Sequence, residues 1–283
     1  MDVRGLILRD AGMFSNVNEV VQQLYLAEQG NYQLVIDWSD SCYRDKDRDG
    51  NPWCYYFLDC FPGLNLKGQT IQAVPYGVPV ACAKNNIITP REIDGNCSPL
   101  LLPADRTIPN KYIDKYIHLQ PHVKKLIDDF IQNHFSQHMI GLHIRGAGRT
   151  DGGVPGIREQ YQLKNGIPFD LYFKYVDEQL QRQPDSKIFA CSDSDFVISE
   201  IENKYGNKLI TYNAIRSEFG EMHDHNHPKN VGKTYDNYKL GEDVLVEAYL
   251  LAQTDYFVHG NSNIVNFVLS KNVNLESMYV YGT

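Results

Sequence analysis

The sequence predicts an α/β protein made of two facing Rossmann-like units with parallel sheets. Three observations lead there. Between Gly5 and Trp38 a short apolar strand, a polar loop, an amphipathic helix and a second strand follow one another. From Met139 onward strand and helix patterns alternate three times more. The strands of that half run into loops rich in Gly, Ser and Asn. Such alternation specifies parallel strands joined by crossover helices. The length of 283 residues suits two units of ordinary size, placed at 1–136 and 137–283.

Composition narrows the class. The apolar fraction is that of a folded chain. A net charge of −8 argues against general nucleic-acid binding, which needs a basic surface, but leaves room for a local basic pocket. No apolar run reaches the length of a membrane span, and Met1 is followed by charged residues rather than a signal peptide. None of the six cysteines forms a C-x-x-C pair, so reduced thiols in a cytoplasmic compartment are the expectation.

In chain order, Gly5 to Leu8 reads as a buried strand and residues 9–16 as a turn. Asn16 is the expected N-cap of a helix over Val17–Glu28, with Val20, Val21, Leu24 and Leu26 facing the core and Gly30 closing it. Tyr32 to Trp38 is the next strand. The loop after the first strand, with Asp10, Gly12 and Asn16, falls at the carboxyl end of the sheet, where such folds bind ligands. Asp45 to Gly50 superficially resembles a calcium loop, but the bidentate Glu the pattern requires does not follow. Trp53 to Phe61 is aromatic, either core or a sugar-stacking acceptor groove together with Trp38. Residues 62–110 show no usable periodicity. Lys111–Phe135 is helical in pattern and split at Pro121. Strands are expected at 139–144, 187–191, 209–212 and 256–259, and helices at 169–181, 196–205, 240–252 and 262–269.

Three strand ends of the second half carry chemistry. At Met139–Gly153 the strand breaks into a loop with Gly146, Gly148, Gly152 and Gly153. His143 and Arg145 flank Ile144 and so share one side of an extended strand; Arg149 follows. A guanidinium fork matches phosphate oxygens, and glycine lets backbone amides approach closely. The second end is Cys191-Ser192-Asp193-Ser194-Asp195. The third is His259-Gly260-Asn261-Ser262-Asn263, a glycine turn opening a helix whose N-terminus favours an anion. In a parallel sheet the three converge on one edge. Together they suit a nucleoside diphosphate: phosphates on Arg145 and Ser262, hydroxyls on the carboxylates. Each also has a structural reading, as an ion pair or a helix cap.

The order Gly141-Leu142-His143-Ile144-Arg145, Ser192-Asp193-Ser194, then Glu242-Asp243-Val244 through Asp255-Tyr256-Phe257-Val258 to Ser262-Asn263 resembles the three motifs of fucosyltransferases of the nodulation, core and protein-O-fucosyl type. Ile36-Asp37-Trp38 to Ser41-Cys42-Tyr43 is similar to the nodulation type. The resemblance implies a GT-B fold and a GDP-fucose donor held mainly by the C-terminal unit, with no required metal or other cofactor. It implies a glycan or glycoconjugate acceptor and inversion at the sugar carbon. Carried over, Arg145 holds the β-phosphate and assists departure of GDP. His143 contacts the nucleotide or shapes the loop, Asp193 or its neighbour Ser192 meets donor hydroxyls, Asp243 reads the guanine edge or anchors the pocket, and Ser262 with Asn261 and Asn263 binds phosphate. Many relatives have two consecutive arginines; here Gly146 takes the second place, with Arg149 the candidate replacement.

The transferred sugar passes through an oxocarbenium-like state while charge builds on the diphosphate, so a preorganised arginine and helix amides suffice for much of the catalysis. Asp10 and Asp37 are candidates for the base at the acceptor hydroxyl, Asp40 a third. Arg216, early in the polar stretch 213–239, is a further candidate donor ligand. The rival enzyme reading takes Asp193 and Asp195 as a D-x-D pair holding a divalent metal on a UDP-sugar. His223, Asp224, His225 and His227 are a second metal-type group. A non-catalytic reading is a sugar-binding module using the aromatic stretch at Trp53.

Overall fold

A computed structural model describes residues 2–64, 71–74, 103–145, 169–218, 222 and 234–280. Two all-parallel sheets organise them. The first has three strands in the order β2-β1-β3: β1 (Asp2–Ile7), β2 (Tyr32–Asp37) and β3 (Gln72–Val74). The second has five in the order β6-β5-β4-β7-β8: β4 (Met139–His143), β5 (Lys187–Cys191), β6 (Leu209–Ile210), β7 (Tyr256–His259) and β8 (Glu276–Tyr279). Read from β4, the chain fills one side of the second sheet and then crosses to the other. The order therefore reverses between β4 and β7, and in open α/β sheets ligands bind at the carboxyl ends beside such a reversal.

The helices follow from side-chain pattern and caps. In α1 (Met13–Gly30) the N-cap is Gly12, the Met13 N–H donates to the Tyr43 hydroxyl at 2.9 Å, and Asn31 closes the helix in the left-handed region. This corrects the start expected at Asn16. The Asn16 side chain reaches backward, donating to the Arg9 and Ala11 carbonyls at 3.0 and 3.1 Å, so it clasps the preceding loop instead of capping the helix. Short α2 (Trp53–Tyr56) forms inside the aromatic stretch. The strands β3 and β8, and the start of α3 (Pro103–Tyr116), fall where the sequence pattern was silent. The break at Pro121 is as expected: α4 (Pro121–His134) begins on it, at the position where its missing N–H costs nothing.

The second sheet is covered on both faces. Ile140, Leu142, Ile144, Ile188, Ala190 and Val258 pack beneath α5 (Phe169–Arg182) and α6 (Asp195–Tyr205). Phe189, Cys191 and Phe257 point to the other face, beneath α4, α7 (Asn237–Leu251) and α8 (Asn263–Lys271). That second core continues without a break into the first sheet, taking in Leu6, Leu34, Trp38 and the apolar side of α1. Phe14 of α1 meets Phe267 of α8 at a ring distance of 4.7 Å. Asn18 donates to the Asn263 carbonyl at 2.9 Å, so the starts of α1 and α8, each following a strand's carboxyl end, lie side by side. No described helix is long and apolar enough to cross a membrane. Cys42, Cys54, Cys60 and Cys191 are free thiols.

Candidate functional site

Parallel pairing places one row of side chains across the carboxyl edge of the second sheet. His143 is in register with Cys191 on one side and His259 on the other, and His259 with Tyr279. Partners in register point to the same face, here the face under α7 and α8. His143 is buried, and burial pushes its pKa down to about 4, with Asp193 opposing and Arg145 assisting. Burial likewise pushes His259 down to about 3. Both rings are therefore neutral at physiological pH. Arg145, two residues beyond His143, is half-buried at the edge.

The β5 end is built by a local bridge. Ser194 pairs with Ser217 as a short parallel bridge, with Ser217 N donating to the Asp193 carbonyl and Asp195 N to the Ser217 carbonyl. The Ser194 hydroxyl oxygen caps α6 by accepting from Val197 N. Ser192 accepts from Ser194 N at 3.2 Å. Asp193 lies close enough to His143, Cys191 and Glu247 to influence their protonation. Asp195 instead is exposed on the first turn of α6. The two carboxylates of the D-x-D reading thus face different surroundings.

At the β7 end, Ser262 caps α8, its oxygen accepting from Val265 N at 3.4 Å, which leaves the hydroxyl proton to donate elsewhere. Asn261 is buried and its Oδ1 has no partner among the described residues. Asn263 opens the helix beside Asn18.

The α7 helix overlooks this edge with Asp243 and Glu247, one turn apart. Glu247 forms an ion pair with Arg216 in which both side chains are buried. Burial pushes the Glu247 carboxyl up, against the pull of Arg216. Arg216 also donates to the carbonyls of Ser192, Ala214 and Tyr212 at 3.0, 3.1 and 3.0 Å. This corrects its expected role: the guanidinium is committed to holding segment 212–217 against the β5 loop, not to a donor. Asp243 accepts from Ile215 N at 2.8 Å with one oxygen and from Lys239 with the other. It too braces that segment, and burial raises its pKa.

Other expected residues are placed as follows. Asp10 and Asp37 are exposed at the carboxyl edge of the first sheet, Asp37 accepting from the Ser39 amide and hydroxyl at 2.9 and 2.6 Å. Gly12 sits at the start of α1, and the Asn16 side chain, fully buried in its loop contacts, is not presented to a ligand. Trp38 and Trp53 are 0 % and 1 % exposed, packed at 6.4 Å from each other, with Trp53 stacked on Phe57 at 4.3 Å. The aromatic stretch is core, which corrects the acceptor-stacking expectation for both. Gly146, Arg149 and the His223–His227 group lie outside the described residues. Among the described residues no group of three or more His, Cys, Asp or Glu side chains is arranged to hold a metal. From sequence His259 is only the first residue of the third strand-end turn, with no role of its own, and the i, i+4 pair Asp243 and Glu247 reads as a solvated helix face; the structure corrects the latter, burying both carboxylates.

Two parallel Rossmann-like sheets with their carboxyl edges side by side define the GT-B class of fold. Within that class the chain superposes on fucosyltransferases. It matches fucosyltransferase NodZ from Bradyrhizobium with a TM-score of 0.52 and 15% identity, over 95% of this chain and 92% of that one. NodZ alpha-1,6-fucosyltransferase co-crystallized with GDP matches with 0.52 and 16%, over 95% and 92%. POFUT1 in complex with GDP-fucose matches with 0.52 and 11%, over 98% and 97%. At these identities the likeness is one of fold. No family model matches the chain, and no curated protein matches it in sequence.

Proposed function

We propose that this chain is a fucosyltransferase-like glycosyltransferase that moves a sugar, L-fucose from GDP-fucose, to a hydroxyl of a glycan or glycoconjugate, with inversion and without a required metal. The observation that carries the reading is the meeting of three strand-end loops at the reversal of the second sheet: His143 to Arg145, Ser192 to Asp193, and Asn261 to Asn263. Solved structures of the same fold hold GDP and GDP-fucose. In this reading residues 137–283 bind the donor and residues 1–136 face the acceptor.

Arg145 takes the β-phosphate, and its charge grows in value as the glycosidic bond breaks and negative charge collects on the leaving diphosphate. The Ser262 hydroxyl and the first amides of α8 take the second share of that charge. Neutral His143 offers the nucleotide a hydrogen bond without repelling Arg145, and Asp193 accepts from donor hydroxyls. Asp10 or Asp37, exposed at the facing edge, accepts the proton of the attacking hydroxyl.

The test is a thermal-shift panel of GDP, UDP, ADP and CMP, each with EDTA or with manganese, followed by GDP-fucose hydrolysis. A ligand that binds only the native state raises the midpoint by mass action. The expected result is a shift with GDP in EDTA that Arg145→Ala removes. A shift with UDP and manganese alone defeats the reading.

A further inference from the structure

The His259 ring lies wholly inside the protein, between Phe257 at 4.8 Å and Tyr279 at 5.8 Å between ring centres. Its Nδ1 is 2.8 Å from the carbonyl oxygen of the next residue, Gly260. A carbonyl only accepts, so Nδ1 carries the proton, and Nε2, which has no partner among the described residues, is the bare nitrogen of the neutral ring. This hydrogen bond fixes the peptide that opens the Gly260-Asn261-Ser262 turn. In a trans peptide the carbonyl oxygen and the following N–H point in opposite directions. Drawing the Gly260 carbonyl toward the buried ring therefore turns the Asn261 N–H away from it. That N–H has no partner among the described residues. It joins the donors at the start of α8, next to Ser262. Asn261 adds a second observation: its side chain is 3 % exposed, yet Oδ1 has no partner among the described residues. A buried acceptor left unpaired is costly, about 1–3 kcal/mol, and turning the side-chain amide over presents Nδ2–H in its place, a donor suited to an anion.

We propose that His259 is a positioning residue for diphosphate binding: through Nδ1–H it holds the Gly260 carbonyl out of the anion site and aims the Asn261 amide into it. Without that bond the peptide is free to rotate and set a carbonyl oxygen against the phosphate, replacing a donor with a repelling dipole. The inference rests on the donor-site reading above and names the residue that shapes it. The neutral ring fits the role, since Nδ1–H suffices and no buried charge is needed.

The test uses the full chain with three probes in EDTA: GDP, guanosine and inorganic pyrophosphate, measured by calorimetry. His259→Asn places an amide N–H near the Nδ1 position, whereas His259→Phe keeps ring volume and removes the donor. His259→Phe is expected to weaken GDP and pyrophosphate at least tenfold and leave guanosine within threefold. His259→Asn is expected to stay within threefold of the parent for all three. The proposal is overturned if His259→Phe binds GDP and pyrophosphate like the parent, if guanosine falls as far as GDP, or if the parent binds neither pyrophosphate nor GDP. If pyrophosphate binds the parent and depends on His259 while GDP binds no tighter than pyrophosphate, the positioning role stands and the GDP-sugar reading falls.

Discussion

His143 shows what burial does to a titratable group at a strand end. Its pKa falls from 6.5 in a free chain to about 4 when folded, mainly through burial. The folded protein therefore binds that proton less tightly than the unfolded chain does. Stability should drop as pH falls from 6.5 toward 4 and the dependence should then level off, with a total of at most about 3 kcal/mol. Urea unfolding at pH 7, 5.5 and 4.5 measures it, and His143→Asn should make the profile shallower, with the share of buried His259 remaining; an unchanged slope would show that other groups set it. The position of His143 and Arg145 was readable because strand ends in parallel sheets gather at one edge. What was not readable is which polar groups are already taken. Asn16 is spent on Arg9 and Ala11, and Arg216 on Glu247, a partner 31 positions away in the chain. Residue type gives the chemistry available, and only the fold says whether a donor is spare. Trp38 and Trp53 fail in the same way, since an aromatic that stacks on sugar and one that fills a core have the same composition.

The α7 helix illustrates why an element can be recognised while its contacts are not. Its apolar pattern is plain, but the pattern expected a start at Leu240, and Asp236 caps it three residues sooner by accepting from Lys239 N at 2.9 Å. Gly241 lies where this helix rides over the aromatic stretch. A Cβ there would come within 2.6 Å of Tyr56 Cζ, closer than real contacts allow, and within a tight 3.1 Å of Tyr43 Cδ1. Tyr56 is itself pinned, fully buried, with its hydroxyl donating to the Tyr238 carbonyl at 2.9 Å. Gly241→Ala should thus lower stability by about 1–3 kcal/mol, although alanine favours a helix. Chemical denaturation checks the sign: a neutral or stabilising result would mean that Tyr56 moves aside freely. The start of α3 was missed for a physical reason as well. Proline at 103 and 109 and a mostly polar face leave little periodicity, and the helix is held by contacts to distant segments.

Those contacts make α3 the tie between the two sheets. Toward the first sheet, Glu28 of α1 accepts from Lys111 at 3.1 Å, from Lys115 at 2.8 Å and from Tyr112. Toward the second, buried Arg106 donates to the carbonyls of Val273 and Leu275 at 3.3 and 2.7 Å and to the Ser277 hydroxyl at 3.2 Å. The hydrogen bonds from Lys115, Tyr112 and Lys111 pull the Glu28 pKa from 4.5 down to about 2. A depressed carboxylate stabilises the fold above its unfolded pKa and loses that contribution as pH falls through the folded one. Glu28→Gln should therefore melt below the parent at pH 7, and the gap should narrow between pH 4.5 and 2. Because the site is largely exposed, added salt should shrink the gap too. Melting curves at the two ends of that range decide it; a gap independent of pH would refute the charge argument. The continuous interior through Phe14 and Phe267 has a further consequence. Neither sheet owns the apolar surface that covers it. A half-chain cut at residue 137 would carry the footprint of its missing neighbour into water, and so would clump before it ever met a nucleotide.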